Sequence, residues 1–157
     1  MLPDDDDADP SAAYEPLQPL LLVDDNDDAR SLIAEVLRLD GFRVIEACDG
    51  PEALAACARE LPWLVILDHV MPCMSGIEVA TRLAQDPELA TIPVVFASGS
   101  VLPDRVPPNV VSRLTKPITS CRLLEVVRAC AAASSLDHRE SRAGARWGDG
   151  AHHAPGL

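Results

Sequence analysis

The sequence of 157 residues has no basic stretch near its start, no aliphatic run longer than four residues and no CxxC pair. The first two absences speak against a secretory signal and a membrane-spanning helix, so we expect a cytoplasmic protein without membrane insertion. The third matters because five cysteines (Cys48, Cys57, Cys73, Cys121, Cys130) are present, an odd number. We read them as reduced thiols, implying neither a zinc site nor a disulfide framework. Basic residues are also scarce, 13 against 25 acidic ones for a net charge of −12. A surface that acidic repels phosphate backbones, which excludes nucleic acid as an expected partner.

About half of the chain is apolar (48%), enough for one core of ordinary size. The acidic excess is uneven. Residues 1–19 hold Asp4, Asp5, Asp6, Asp7, Asp9 and Glu15, no base and four prolines, and residues 134–157 mix Ser, Gly, Ala, Arg and His without periodicity. Both ends are expected to be disordered tails around a single domain at 20–133. The acidic tail is expected to act as a solubilising segment. The start at Met1 and the low-complexity ends further lead us to expect a complete chain.

Within 20–133, short aliphatic runs alternate with longer helical patterns. Strands are predicted at Leu20–Asp24, Arg43–Ala47, Leu64–Asp68, Val94–Ala97 and Val110–Thr115. Between them lie stripes at helical spacing, such as Ala29, Leu32, Ile33, Val36 and Leu37, or Leu123, Val126, Val127 and Cys130. Gly41 ends the first helix, and Pro51 suits the first turn of the second. The first, third and fourth strands are apolar on both faces, which requires helices on both sides of a parallel sheet. One unit departs from the pattern. Between Ser100 and Val110 the prolines at 103, 107 and 108 cannot share a helix interior, so a turn or short 3₁₀ piece is expected.

Ligands of an open parallel sheet bind outside the carboxyl ends of its strands. Here those ends carry Asp24 and Asp25, Asp68, Ser98, and Lys116 with Pro117. Three carboxylates at close quarters stay ionised only with a compensating cation, and a hard divalent ion such as Mg²⁺ fits that donor set. With the metal in place one carboxylate can attack phosphorus. Asp68 suits this role, because the adjacent Asp24 and Asp25 are better placed as ligands, and an acyl phosphate would result. Ser98 and Lys116 would neutralise charge on the transferred group. Lys116 is the only lysine beside twelve arginines, which suggests that a compact ammonium is wanted there. Singly, each of these residues would read as a helix cap or a solvated loop side chain; the joint placement is the signal.

The stretches Leu20-Leu-Leu-Val-Asp-Asp-Asn26, Leu64-Val-Ile-Leu-Asp-His-Val-Met-Pro72 with Gly76, Ile92-Pro-Val-Val-Phe-Ala-Ser-Gly99 and Thr115-Lys-Pro117 resemble the receiver domain of bacterial two-component response regulators. The resemblance covers residues 20–133. It implies a flavodoxin-like α/β fold with a doubly wound five-stranded parallel sheet, order 2-1-3-4-5. It also implies Asp68 as phosphoacceptor and Mg²⁺ held by Asp24, Asp25, Asp68 and the Val70 carbonyl. Ser98 would be the switch hydroxyl, and Lys116 would grip the phosphoryl group. The implied partners are a sensor histidine kinase or histidine phosphotransfer protein and an unknown downstream protein. The protein would be a monomer or a phosphorylation-dependent dimer.

Two features depart from the family pattern. The position three before the lysine, usually Tyr or Phe, is Arg113, and the proline-rich segment stands where the fourth helix normally forms, so that helix should be short or irregular. Phe96-Ala97-Ser98-Gly99 is similar to the Phe-Ala-Thr-Gly motif of a single-domain receiver subgroup. Val70 and Ser100 occupy positions that modulate dephosphorylation in the family. His69 and Cys73 are expected as exposed loop residues, and His138, His152 and His153 receive no role. The tail after 133 is too short and aperiodic for an output domain, so a stand-alone phosphoacceptor, not an enzyme, is expected. A degenerate receiver that binds partners without phosphorylation is the alternative. A haloacid-dehalogenase-type enzyme would need an acid two residues after its nucleophile, where Asp68 has Val70 and Asp24 has Asn26.

Overall fold

The computed structural model describes residues 18–148, with side chains through position 135. Five strands, β1 (Leu20–Val23), β2 (Val44–Ala47), β3 (Leu64–Leu67), β4 (Val94–Ser98) and β5 (Val110–Thr115), form one parallel sheet in the order β2-β1-β3-β4-β5. The expected doubly wound topology is the observed one. Helices α1 (Asp27–Leu39), α2 (Gly50–Glu60), α3 (Gly76–Gln85) and α4 (Ser120–Gly148) supply the two covering layers.

Strand periodicity sorts the core into two halves. Leu21, Val23, Val65, Leu67 and Phe96 face α2 and α3, packing with Ala53, Cys57, Val79 and Leu83. Leu20, Leu22, Leu64, Ile66, Val95 and Ala97 face the opposite side, with Ala34 and Leu37 of α1 and Leu123 and Val127 of α4. Helix starts follow local chemistry. Asn26, Asp49 and Ser75 each accept a backbone N–H of the first turn, and Ser75 with Glu78 completes a reciprocal capping box.

One expectation is met and two change. No helix forms between β4 and β5; the chain runs irregularly from Val101 to a turn at Pro108–Asn109, without a 3₁₀ piece among the described residues. Leu102 and Val106 still pack on the first core half, and Asn109 donates its amide to the Ala80 carbonyl at 3.0 Å, so side chains replace the missing helix. Helix α4 continues past 133 to Gly148. Residues 134–148 contain three arginines and no proline, so no proline ends a helix already begun, and a reading based on apolar periodicity misses that. At the other end, Pro19 is buried and its carbonyl accepts the Trp63 N–H at 3.1 Å, so this residue of the expected tail packs with the domain. The remaining expected tail residues, 1–17 and 149–157, lie outside the described residues, as do His152 and His153; His138 falls within α4.

Candidate functional site

The strand ladders carry the acids to one edge. Asp24 N–H continues β1 onto the Ala47 carbonyl (3.2 Å), and Asp68 N–H continues β3 onto the Val23 carbonyl (3.0 Å). Asp24 and Asp68 are therefore rigidly placed and nearly buried, 3% and 7% exposed, while Asp25 faces solvent. The three carboxylates offer oxygens that all lie within 4.8 Å of one another. Lys116 reaches in from the end of β5, its Nζ 3.0 Å from Asp24 Oδ2 and 3.5 Å from Asp68 Oδ2. Its backbone N–H donates to the Ser98 carbonyl (3.0 Å), and the Lys116–Pro117 peptide is cis.

Burial pushes the Asp68 carboxyl above the ordinary value, and the Asp24 charge adds to this; the Lys116 ammonium and the Val70 N–H at 3.4 Å oppose it without prevailing. For Lys116, burial works against the charge, but the carboxylates of Asp24 and Asp68 outweigh it and hold its pKa above the lysine norm. One ammonium among three carboxylates leaves a cluster two charges negative. Hard oxygen donors with that residual charge fit a divalent cation such as Mg²⁺.

Ser98, 4% exposed, ends β4, but its Oγ is engaged with Ser100, whose Oγ is 3.0 Å and whose N–H is 3.2 Å away. Val70 is largely exposed, on the loop after Asp68. His69 is a correction. It is half-buried, its ring meets Phe96 edge-on at 6.1 Å, and its shielded Nδ1 has no partner among the described residues. Phe96 is the aromatic surface that draws the ring inward. Cys73 is exposed as expected. Arg113 is exposed on β5, in register with Phe96.

Sequence reasoning missed Arg30. From α1 it donates to the Asp24 carbonyl at 2.7 Å, pairs with Asp27 at 2.6 Å, and holds Nε 3.3 Å from Glu46 of β2. It thus ties the turn bearing Asp24 and Asp25 to its neighbouring strand. The available signal was an arginine on the first turns of the helix that directly follows the acidic pair. Gly76 is equally tight: a Cβ there would lie 2.4 Å from the Asp68 carbonyl oxygen, so only glycine lets α3 start against the loop that follows Asp68.

Comparison with known proteins agrees with this geometry. The family model for the response regulator receiver domain matches residues 20–128. The chain belongs to the response regulator receiver family. This receiver is 37% identical over 114 residues to the response regulator PleD of Caulobacter vibrioides, covering 70% of this chain and 25% of PleD. It is 28% identical over 117 residues to PilH of Pseudomonas aeruginosa, covering 70% of this chain and 94% of PilH. The chain thus spans about a quarter of PleD and nearly all of PilH. Among solved structures, the receiver domain of the hybrid histidine kinase CckA is 35% identical with a TM-score of 0.62, covering 72% of this chain and 98% of that one. The chemotaxis protein CheY4 of Vibrio cholerae, 24% identical with a TM-score of 0.66 over 73% of this chain and 99% of that one, shares the fold.

Proposed function

We propose that this receiver takes a phosphoryl group onto Asp68 from the phosphohistidine of a sensor histidine kinase or histidine phosphotransfer protein, and then signals by protein contact or drains phosphate from a relay. The observation that carries this reading is the Lys116 ammonium placed between Asp24 and Asp68 inside the three-carboxylate pocket. An Asp68 carboxylate oxygen forms the new bond to phosphorus while the phosphorus–nitrogen bond to the donor imidazole breaks, and the imidazole leaves with the bond's electron pair and takes up a proton. Asp24, Asp25, Asp68 and the Val70 carbonyl would hold Mg²⁺, which when bound supplies positive charge against the developing charge of the phosphoryl oxygens. Lys116, within reach of both Asp24 and Asp68, would add positive charge of its own, and Ser98 at the end of β4 would offer a hydroxyl. No described helix is long and apolar enough to cross a membrane, in keeping with a receiver that meets its donor through protein contact.

Intact-mass analysis after incubation with acetyl phosphate tests the reading. One phosphoryl adduct is expected, dependent on both Mg²⁺ and Asp68, and absent in Asp68→Asn. An adduct that persists in that variant would contradict the assignment.

Arg113 favours a second reading. An exposed arginine opposite Phe96 replaces the aromatic residue that the family resemblance implies, as in a receiver that binds partners without phosphorylation. Under that reading Asp68→Asn leaves signalling in cells unchanged.

A further inference from the structure

The two edges of the sheet differ. At β2 the carbonyls of Arg43 and Ala47 turn inward and accept the N–H groups of Leu20 and Asp24, so the outward groups belong to Val44 and Glu46. Arg38 takes the Val44 carbonyl at 3.0 Å and pairs with the Glu46 carboxylate at 3.1 Å. A side chain thus closes that edge. At β5 the Lys116 N–H points inward to the Ser98 carbonyl, and alternation turns Leu114 and Ser112 inward as well. The N–H and C=O of Arg113 and Thr115 therefore point outward. Among the described residues no side chain or turn takes these four groups, and no helix stands between β4 and β5 in the chain. Such an edge is a template for another strand.

The surroundings of the edge set the chemistry of that strand. On the face shared with α4, Val111 and Ser112 border a groove of about 590 Å³ whose wall includes Val126, Ala129 and Ala133. It is largely apolar and has room for more than one side chain. On the opposite face stands Arg113, level with Phe96, exposed and without an ion pair among the described residues. We propose that the free edge of β5 is a docking site for an extended segment of a partner protein in which apolar side chains alternate with acidic ones. The segment's main chain pairs with Arg113 and Thr115, its apolar side chains enter the groove beside α4, and its carboxylates meet the Arg113 guanidinium. Main-chain bonds hold an added strand, and the pockets for alternate side chains select it. A second copy of this chain fits less well: pairing β5 with β5 about Arg113 sets two guanidinium groups opposite each other, and each copy carries a net charge of −12. Docking of this kind needs no phosphoryl group on Asp68.

The test uses the full chain and an acetylated heptapeptide of alternating valine and glutamate. Amide hydrogen exchange should show the N–H groups of Arg113 and Thr115 becoming protected on titration, with that of Leu114, already paired to β4, unchanged. Peptides N-methylated at every valine or at every glutamate each lose the donors of one edge, so one of the two should bind at least about tenfold more weakly than the other. Arg113→Gln should weaken binding of the unmethylated peptide about twofold to fivefold, the worth of one exposed ion pair. Equal affinity of the two methylated peptides, unchanged exchange at Arg113 and Thr115, or failure of the unmethylated peptide to bind at millimolar concentration overturns the proposal. Protection of the same amides in the protein alone as its concentration rises assigns the edge to a second copy and overturns it too.

Discussion

Substituting Gly76 sets two physical effects against each other. Gly76 opens α3 with an ordinary backbone conformation, and helix propensity alone predicts that alanine there stabilises the protein by up to about 1 kcal/mol. Space predicts the reverse. The added Cβ would meet the Asp68 carbonyl oxygen at 2.4 Å, His69 Cα at 2.8 Å and Phe96 Cε1 at 2.9 Å. Two of those contacts are main-chain atoms, and Phe96 is fully buried, so none can step aside at little cost. Overpacking of a dense core costs about 1–3 kcal/mol, and the upper part of that range applies when backbone must move. Gly76→Ala should therefore destabilise by about 2 kcal/mol net, a fall in Tm of roughly 5–10 °C. Because the displaced backbone carries Asp68, and Gly76 N–H donates to the His69 carbonyl at 2.8 Å, Mg²⁺-dependent phosphorylation should slow as well. Urea denaturation at constant slope and the rate of acetyl phosphate labelling check the two effects. A Tm equal to or above wild type would show that propensity outweighs the close approach, and the packing argument would be wrong.

Asp68→Asn should raise Tm by a few degrees at neutral pH without Mg²⁺. Burial and the Asp24 charge raise the folded-state pKa of Asp68, so the folded state binds more protons than the unfolded one and loses stability as pH climbs from the ordinary value of 3.8 through the raised one. The gain should vanish below about pH 4, and a Tm decrease at pH 7 would contradict it. Arg30→Ala removes the charge-assisted bond to the Asp24 carbonyl and should cost about 1–3 kcal/mol, with weaker Mg²⁺ binding by calorimetry. Its pair with the exposed Asp27 should contribute little, so Asp27→Ala should be near neutral by thermal melting. Native thiol titration should find Cys73 and Cys121 fast. Cys48 should be slower because its thiol donates to Glu52, and Cys57, buried with its pKa pushed up to about 12, should react only on unfolding.

What could be read from sequence was what local chemistry determines. The runs Leu20–Val23 and Leu64–Leu67 are buried on both faces in the central strands, so their aliphatic character alone announced a covered parallel sheet. Asp24, Asp25 and Asp68 stood at strand ends, and topology brings their oxygens together without help from any distant residue. Prolines 103, 107 and 108 removed a helix, and none formed. The features not read depend on tertiary contact or on helix that carries no apolar periodicity in its sequence. Arg30 acts on the Asp24 carbonyl across a turn, His69 is turned inward by Phe96, and Ser98 is claimed by Ser100 two residues on. Helix α4 continues to Gly148 through residues 134–148, which contain no proline but also no regular apolar spacing.

Chemical localisation of the phosphoryl group tests the central claim most directly. The protein is labelled with acetyl phosphate and Mg²⁺, reduced with borohydride to convert an aspartyl phosphate to homoserine, and digested with trypsin. The peptide Glu60–Arg82, bounded by the arginines at 59 and 82, contains Asp68 and Asp86 is excluded from it. Homoserine at position 68, and only when Mg²⁺ is present, is the predicted result. Reduction at any other carboxylate, or an unmodified position 68 in protein that carries the adduct, would contradict the account.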